Sequence, residues 1–444
     1  MFHPMKRLLF SIALLSALAL GVIACQGTPA PTAAPPTSAP AQATAALAQP
    51  TTAPSAQVLK VGVGGPFTGP AARTGEEFKC AAQMAFDKVN NQIGPYKLEI
   101  VWIDEQSDPE KSSRALEEAI VGQNIQVGML NWHSSDAVAM MDVAAKHQVP
   151  YLFGMGATEV VNQKFASDSK YQYWMTKGWP EPSKLIAPYV TAVNDAKAAG
   201  TLKLPNNKVA IWGEDTDWGR SVGKAFRTEF EKTGWQVISE DYFAKDQTDF
   251  ASLLQRYKDQ EVSVLAGTST IPPSMAAFIK GTDEVGLKAL VIADGLGWVG
   301  EWYNLTGKAS NYVIDQIPGW TTDAAKKFAA DFKARCNIDP SPSAAGLSYD
   351  WAGYALKILD ETYKAKGKLD SQSIFEFTKE NVWTGKLPYT DGIIMSSYRF
   401  APDTLPDPVV GKDAYIFPIL QYHDGKSVVV WPNDWATGKL EAKP

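Results

Sequence analysis

The chain has 444 residues, 45% hydrophobic and 20% charged, with a formal net charge of −6. This is the composition of a globular protein, and mild acidity without a Lys/Arg run argues against nucleic acid as a partner. The four histidines, His3, His133, His147 and His423, show no metal-ligand spacing, and the three cysteines form no CxxC, so neither a metal nor a cofactor is expected.

In chain order, Lys6 and Arg7 precede an apolar run from Leu8 to Val22. At about 15 residues it has the length of a signal-peptide core and is short for a membrane span. Val22-Ile23-Ala24-Cys25 closes it and resembles a bacterial lipobox, which implies a signal peptide over 1–24 and a lipidated Cys25 at the mature N-terminus. An ordinary secretory signal with an incidental cysteine is the competing reading. Thr28 to Ala56 is almost wholly Pro, Ala, Thr, Ser and Gln, too poor in apolar side chains to fold, and reads as a tether within 25–57. Such a protein is expected outside the cytoplasm, in a periplasm or on an outer cell surface, anchored through Cys25.

The remaining residues exceed one ordinary core, so two domains are expected. Strands are predicted at Leu59–Gly64, Leu98–Ile103, Ile125–Leu130 and Val149–Phe153, with helices at Glu76–Asn91, Pro109–Val121 and Asp136–His147 between them. Asp108-Pro109 is an N-cap acid followed by proline at the first helical position. The rhythm restarts after Trp179-Pro180. Helix Ser183–Ala199 leads to strand Lys208–Trp212, helix Ser221–Thr233 and strand Gln236–Tyr242. Helix Asp249–Lys258, strand Val262–Ala266, helix Pro273–Lys280 and strand Ala289–Ala293 follow. A helix Ser348–Lys364 and late strands near Gly392–Phe400 and Tyr415–Gln421 complete the list. The fold class is therefore α/β, with two lobes of similar architecture built on parallel sheets. Cys80 and Cys336 each lie in a helical pattern, where they can pair or stand as separate buried thiols.

In open α/β sheets ligands bind beyond the carboxyl ends of the strands. Those segments carry Trp132, Trp218, Trp298 and Trp302 with Ser134, Ser135, Thr158 and Thr270, a set suited to a small amphipathic solute. Asn131-Trp132-His133-Ser134-Ser135-Asp136 ends a strand and opens a helix. Its free N–H groups and serines can hold an anionic group, or Ser134 or Ser135 can act as a plain N-cap, with Asp136 weakening the anion site. The acids of Gly213–Arg220 lack calcium-loop spacing and read as N-cap and surface-turn residues, with Trp218 as a stacking wall. Asp294-Gly295 can meet an ammonium group or simply form a turn. Trp298 and Trp302, four apart, would share one helix face as ligand wall or core. Gly62-Val63-Gly64-Gly65-Pro66 lacks a true G-x-G-x-x-G, and no G-x-S-x-G, H-E-x-x-H or Ser/His/Asp set stands out.

These residues carry a resemblance. The matching motifs are Val61-Gly62-Val63 through Gly65-Pro66-Phe67-Thr68-Gly69-Pro70 with Gly75, and Asp104-Glu105-Gln106-Ser107-Asp108-Pro109. Further matches are Val149-Pro150-Tyr151-Leu152 with Gly156-Ala157-Thr158, Val209-Ala210-Ile211 with Trp218-Gly219, and Asp246-Gln247-Thr248-Asp249-Phe250. From about Val58 onward the chain resembles type I periplasmic solute-binding proteins of the leucine/isoleucine/valine-binding family, which serve ABC importers. The resemblance implies two Rossmann-like lobes joined by a three-segment hinge near Met175–Gly178, Ile314–Gly319 and Ala401–Lys412. Lobe 1 would then span 58–176 and 316–402, and lobe 2 would span 177–315 and 403–444. Cys80 and Cys336 would both fall in lobe 1.

The resemblance also implies a binding set. Ser134, Ser135, Thr158 and the Gly156 backbone, beside Trp132 and His133, would take a carboxylate; Trp218 and Asp294 would receive an ammonium. The chain departs from the family at Trp132, which stands near the usual first serine, and at Thr74, where the family has an aromatic residue before Gly75. It departs again at Thr268-Ser269-Thr270-Ile271, which replaces the usual aromatic residue after Ala266. Thr270 and Trp298 complete the expected site. The reading is a non-enzymatic, lipid-anchored, monomeric solute-binding protein delivering a neutral amino acid, amide or small carboxylate to a membrane permease. A sensor of the same fold and a secreted hydrolase of small amides or glycosides are the alternatives.

Overall fold

The computed structural model describes residues 57–444 apart from Ser396, Lys412 and Asp413; the lipobox-like motif, Cys25 and the Thr28–Ala56 segment lie outside the described residues. The first sheet holds β1 (Gln57–Gly65), β2 (Gln92–Ile93), β3 (Tyr96–Asp104), β4 (Val127–Met129) and β5 (Tyr151–Leu152) in the order β2-β3-β1-β4-β5. β1 pairs in parallel with β3 and β4, and β4 with β5; the β2–β3 pair is antiparallel. β1 is buried almost continuously from Leu59, as a central parallel strand covered on both faces must be.

The second sheet holds β6 (Lys208–Glu214), β7 (Gln236–Phe243), β8 (Val264–Thr268), β9 (Leu290–Asp294), β10 (Ile314–Gln316), β11 (Ile419–His423) and β12 (Lys426–Trp431). Its order is β12-β11-β10-β9-β8-β6-β7, parallel from β7 to β10 and antiparallel at β10–β11–β12. Each sheet has its own helices and apolar core, which gives the two-lobed α/β architecture.

Local chemistry explains the helix starts. Asp108 caps helix Pro109–Val121, accepting from the Glu110 and Lys111 N–H groups at 3.0 Å each. Thr216 caps helix Asp217–Lys232 through the Gly219 N–H at 3.1 Å. Helix Ala72–Lys88 begins four residues ahead of the expected Glu76, just after the Gly65-Pro66-Phe67-Thr68-Gly69-Pro70 segment. Gly75 is required there, since a Cβ would strike the Pro66 carbonyl.

The structure corrects several expectations. The segment near Gly392–Phe400 is not a strand; only an isolated Tyr389–Tyr398 bridge forms, and the late antiparallel pair is β11–β12. Ile314–Gln316, expected in a crossover, is β10 of the second sheet, and that connection starts beyond it. Helix Ser134–His147 has His133 at its N-cap position and no side-chain cap, so neither Ser134 nor Ser135 caps it. Trp298 closes a short turn, Leu296–Trp298, while Trp302 opens a separate helix, Trp302–Thr306. The two tryptophans therefore do not share a helix face.

Cys80 of helix Ala72–Lys88 and Cys336 of helix Asp323–Cys336 form a disulfide with Cα atoms 6.5 Å apart. Two of the connections between the sheets are joined by charge. Lys177 and Asp407 form a 2.7 Å ion pair with both side chains fully buried, and Lys184 meets the other Asp407 oxygen at 2.7 Å. The Lys177 N–H also donates to the Pro406 carbonyl at 2.8 Å. Burial works to raise the Asp407 carboxyl, and the two ammonium groups beside it hold it below its ordinary range.

Candidate functional site

A cleft with about 780 Å³ of empty space opens where the loops after the strands of both sheets face each other. The loops of the first sheet supply Thr74, Trp132, Ser134, Met155 and Ala157. The second sheet supplies Trp218, Thr268 to Thr270, Asp294, Trp298, Trp302 and Gln316, which ends β10, and the connections supply Trp179 and Ile317. This is the strand-end position at which α/β folds bind ligands.

Five tryptophans form the walls. Trp132, after β4, stacks on Trp298, after β9, with ring centroids 4.3 Å apart and planes 25° apart. Trp179 meets the Trp298 ring edge-on at 5.6 Å. Trp218 is held by its indole N–H, which donates to Thr268 Oγ1 at 3.1 Å; that hydroxyl donates on to the Asp294 carbonyl at 2.8 Å. Trp302 leans on Tyr422, centroids 4.0 Å apart. The indole nitrogens of Trp132 and Trp298 and the Thr74 hydroxyl are buried without a partner in the protein, leaving donors at the cleft.

Among the described residues, Asp294 is the one carboxylate lining the cleft, and no Lys, Arg or His lines it. Its Oδ1 accepts from the Tyr189 hydroxyl at 2.8 Å. Burial, with Asp315 nearby, pushes its pKa up to about 7 against the pull of that hydrogen bond. Asp315 is itself held by the N–H groups of Gly295 and Gly297 at 2.8 Å and by Tyr422 at 2.9 Å. Gly295 turns the chain with φ of +89°, a conformation open to glycine.

Of the residues singled out from sequence, Thr74, Trp132, Ser134, Trp218, Thr270, Asp294 and Trp298 line the cleft, and His133, Ser135, Gly156 and Thr158 do not. Thr158 instead caps helix Glu159–Ser167 and meets Ser221, across from the other sheet, with hydroxyls 2.8 Å apart. Ser135 Oγ accepts from the Asp217 N–H at 3.3 Å, another link between the lobes. Gly156 turns the chain behind the wall, where a Cβ would press on Ala137. The Thr270 hydroxyl is turned to Glu214, at 2.9 and 2.8 Å from its two oxygens. Glu214 is thus a buried organiser rather than a surface-turn acid, while Asp215 pairs with Arg220 at 2.6 Å. His133 lies behind Trp132 with Glu105 and Asp136, a grouping that spacing along the chain conceals. Burial and the neighbouring Asp136 raise the Glu105 carboxyl well above its ordinary range.

Trp179, Met155 and Gln316 are lining residues that sequence reasoning missed. Trp179 sits at a connection between the sheets, which inspecting the ends of strands does not reach; Gln316 ends β10, a strand that the sequence placed in a crossover.

With this geometry in place, the likenesses to known proteins are specific. Residues 58–398 match the family model described as periplasmic binding protein. The Leu/Ile/Val-binding protein homolog 8 of Brucella abortus is 24% identical over 399 residues, covering 85% of this chain and 91% of that protein. Homolog 6 of Brucella suis is 25% identical over 237 residues, and the match spans 56% of that protein's length. In fold, a leucine binding protein of Thermotoga maritima superposes with a TM-score of 0.66 at 17% identity, covering 85% of this chain and 99% of that one. A solute binding protein of an ABC transporter from Rhodopseudomonas palustris, in complex with 3,4-dihydroxybenzoic acid, gives 0.67 at 22% identity, covering 83% and 95%.

Proposed function

The chain belongs to the periplasmic binding protein family, and we propose that it is the solute-capturing component of an ABC importer, holding a zwitterionic amino acid with a large apolar side chain between its lobes. The observation that carries the ligand class is the lining itself: five tryptophans, one carboxylate and no cationic side chain. Tryptophan faces bury an apolar body and also attract a cationic head, while Asp294 supplies the opposite charge for an ammonium group. The first turn of helix Ser134–His147, with Ser134 and the free indole N–H groups, supplies donors for a carboxylate. Leu/Ile/Val-binding relatives are consistent with this choice.

A second reading, an aromatic acid, is favoured by the same unpartnered donors and by the dihydroxybenzoate-bound neighbour. It leaves Asp294 without a partner and faces no countercharge, so it ranks second. Hinge closure would bury either solute. The lobes would run over 58–176 with 316–402 and over 177–315 with 403–444, save that Gln316, which ends β10, goes with the second sheet. The family implies an extracytoplasmic location. Anchoring through a lipidated Cys25, monomeric function and docking of both lobe rims on a membrane permease complete the proposal. The matched proteins are binding proteins, and the solute should be returned unchanged rather than hydrolysed.

The test is titration calorimetry of the soluble chain against branched-chain and aromatic amino acids, their amides, and benzoates. Binding of a free amino acid, lost when its ammonium is removed, supports the proposal. Tight binding of benzoates with no response to amino acids overturns it in favour of the second reading. Turnover of the amide would move the protein to the hydrolase class.

A further inference from the structure

Behind Trp132, Glu105, the residue after β3, meets His133 and Asp136 at the start of the helix after β4. Each offers one ligand atom, and the three atoms lie within 4.8 Å of one another. Relative exposures are 0% for Glu105, 6% for His133 and 1% for Asp136. Both imidazole nitrogens of His133 and Oδ2 of Asp136 are buried with no hydrogen-bond partner in the protein. His133 Nδ1 stands 3.6 Å from Asp136 Oδ2, beyond hydrogen-bond length. Among the described residues, neither Glu105 nor Asp136 has a Lys or Arg within 4.0 Å. Two buried carboxyl groups with no Lys or Arg beside them, next to an imidazole unpaired at both nitrogens, leave converging donor atoms unused within the protein.

One imidazole nitrogen and two carboxylate oxygens form a donor set that first-row divalent ions accept. We infer that Glu105, His133 and Asp136 form a site for a divalent transition-metal cation, Zn²⁺ or Mn²⁺, separate from the solute cleft. The site is coupled to the cleft through Trp132. The Trp132 N–H donates to Glu105 at 3.0 Å, and its ring centroid is 6.0 Å from that of His133. A bound cation therefore fixes the loop that presents the Trp132 wall.

The experiment strips the soluble chain with chelator, equilibrates it with Zn²⁺ or Mn²⁺, and reads bound metal by elemental analysis and calorimetry, with Mn²⁺ also followed by electron paramagnetic resonance. About one ion per chain is expected, with a rise in melting temperature by mass action. His133→Ala and Asp136→Asn should each weaken binding by about tenfold or more, while His423→Ala, an imidazole elsewhere, should not. No metal uptake by the native chain overturns the inference without recourse to any variant. Equal uptake by native and His133→Ala chains, with folding of the variant checked by circular dichroism, overturns it as well.

Discussion

Asp294 carries opposite pH signatures for the empty and loaded protein. Its carboxyl, raised to about 7, is half neutral near neutrality when the cleft is empty. A ligand ammonium favours the ionised form, so binding releases a proton. Affinity for an amino acid should rise from pH 5 to pH 7, by up to about tenfold per unit, and level off above. Asp294→Asn should weaken binding and flatten that profile; a wild-type affinity independent of pH would sink the assignment. For folding, the sign reverses. The folded-state pKa lies above the unfolded one, so the empty protein loses this group's stability contribution as pH rises from about 4 to 7. Thermal melts of the ligand-free chain across that window check it. Trp218, pinned by Thr268, should cost roughly 2 kcal/mol of ligand binding on change to alanine, about a 30-fold loss by calorimetry. Trp218 and Asp294 were legible in the sequence because one follows a strand and the other ends one. Thr158 and Ser135 were read as carboxylate ligands, but they stand outside the cleft and pair across the lobes, a property of two distant segments that leaves no local trace.

At the level of elements, the alternation of buried runs and helical spacing located the parallel strands of both sheets, since a strand covered on both faces must be nearly continuously apolar. The elements that escaped are short or set by tertiary contact. β10 has three residues and exists because β9 and β11 flank it. The Leu296–Trp298 turn separates two tryptophans whose spacing reads as helical. The Cys80–Cys336 pairing joins two helices of one lobe across 256 residues of sequence, so spacing could not reveal it. Neither cysteine lines the cleft. Replacing both with serine should therefore lower stability by roughly 2–4 kcal/mol while leaving solute affinity nearly unchanged. Melts with and without reductant, alongside calorimetry, read both quantities; a large affinity loss in a folded variant would tie the bridge to the site.

Across the whole molecule, two sets of contacts separate stability from closure. The Lys177–Asp407 pair is sealed at the connections, where removing one partner strands a buried charge. Asp407→Ala should destabilise by about 3–5 kcal/mol, and adding Lys177→Met should recover much of the loss. Denaturant unfolding of the single and double variants measures this. The contacts at the facing rims differ in kind. Thr158 with Ser221, the Ser135 hydroxyl with the Asp217 N–H, and Arg73 with Glu301 at 2.8 Å each join residues from opposite lobes. None of these six residues lines the cleft. If the lobes part to admit solute, these contacts exist only in the closed form, so their free energy enters the apparent affinity through the closed fraction. One hydroxyl pair contributes about 1 kcal/mol, or roughly a fivefold change. Ser221→Ala should thus weaken every bound solute by about that factor, with the ranking of solutes and the stability of the empty chain unchanged. Small-angle scattering should show that more solute is needed to reach the compact form. An unaltered affinity would mean that the Thr158–Ser221 pair persists in the open state, and that closure is set at the tryptophan stack instead.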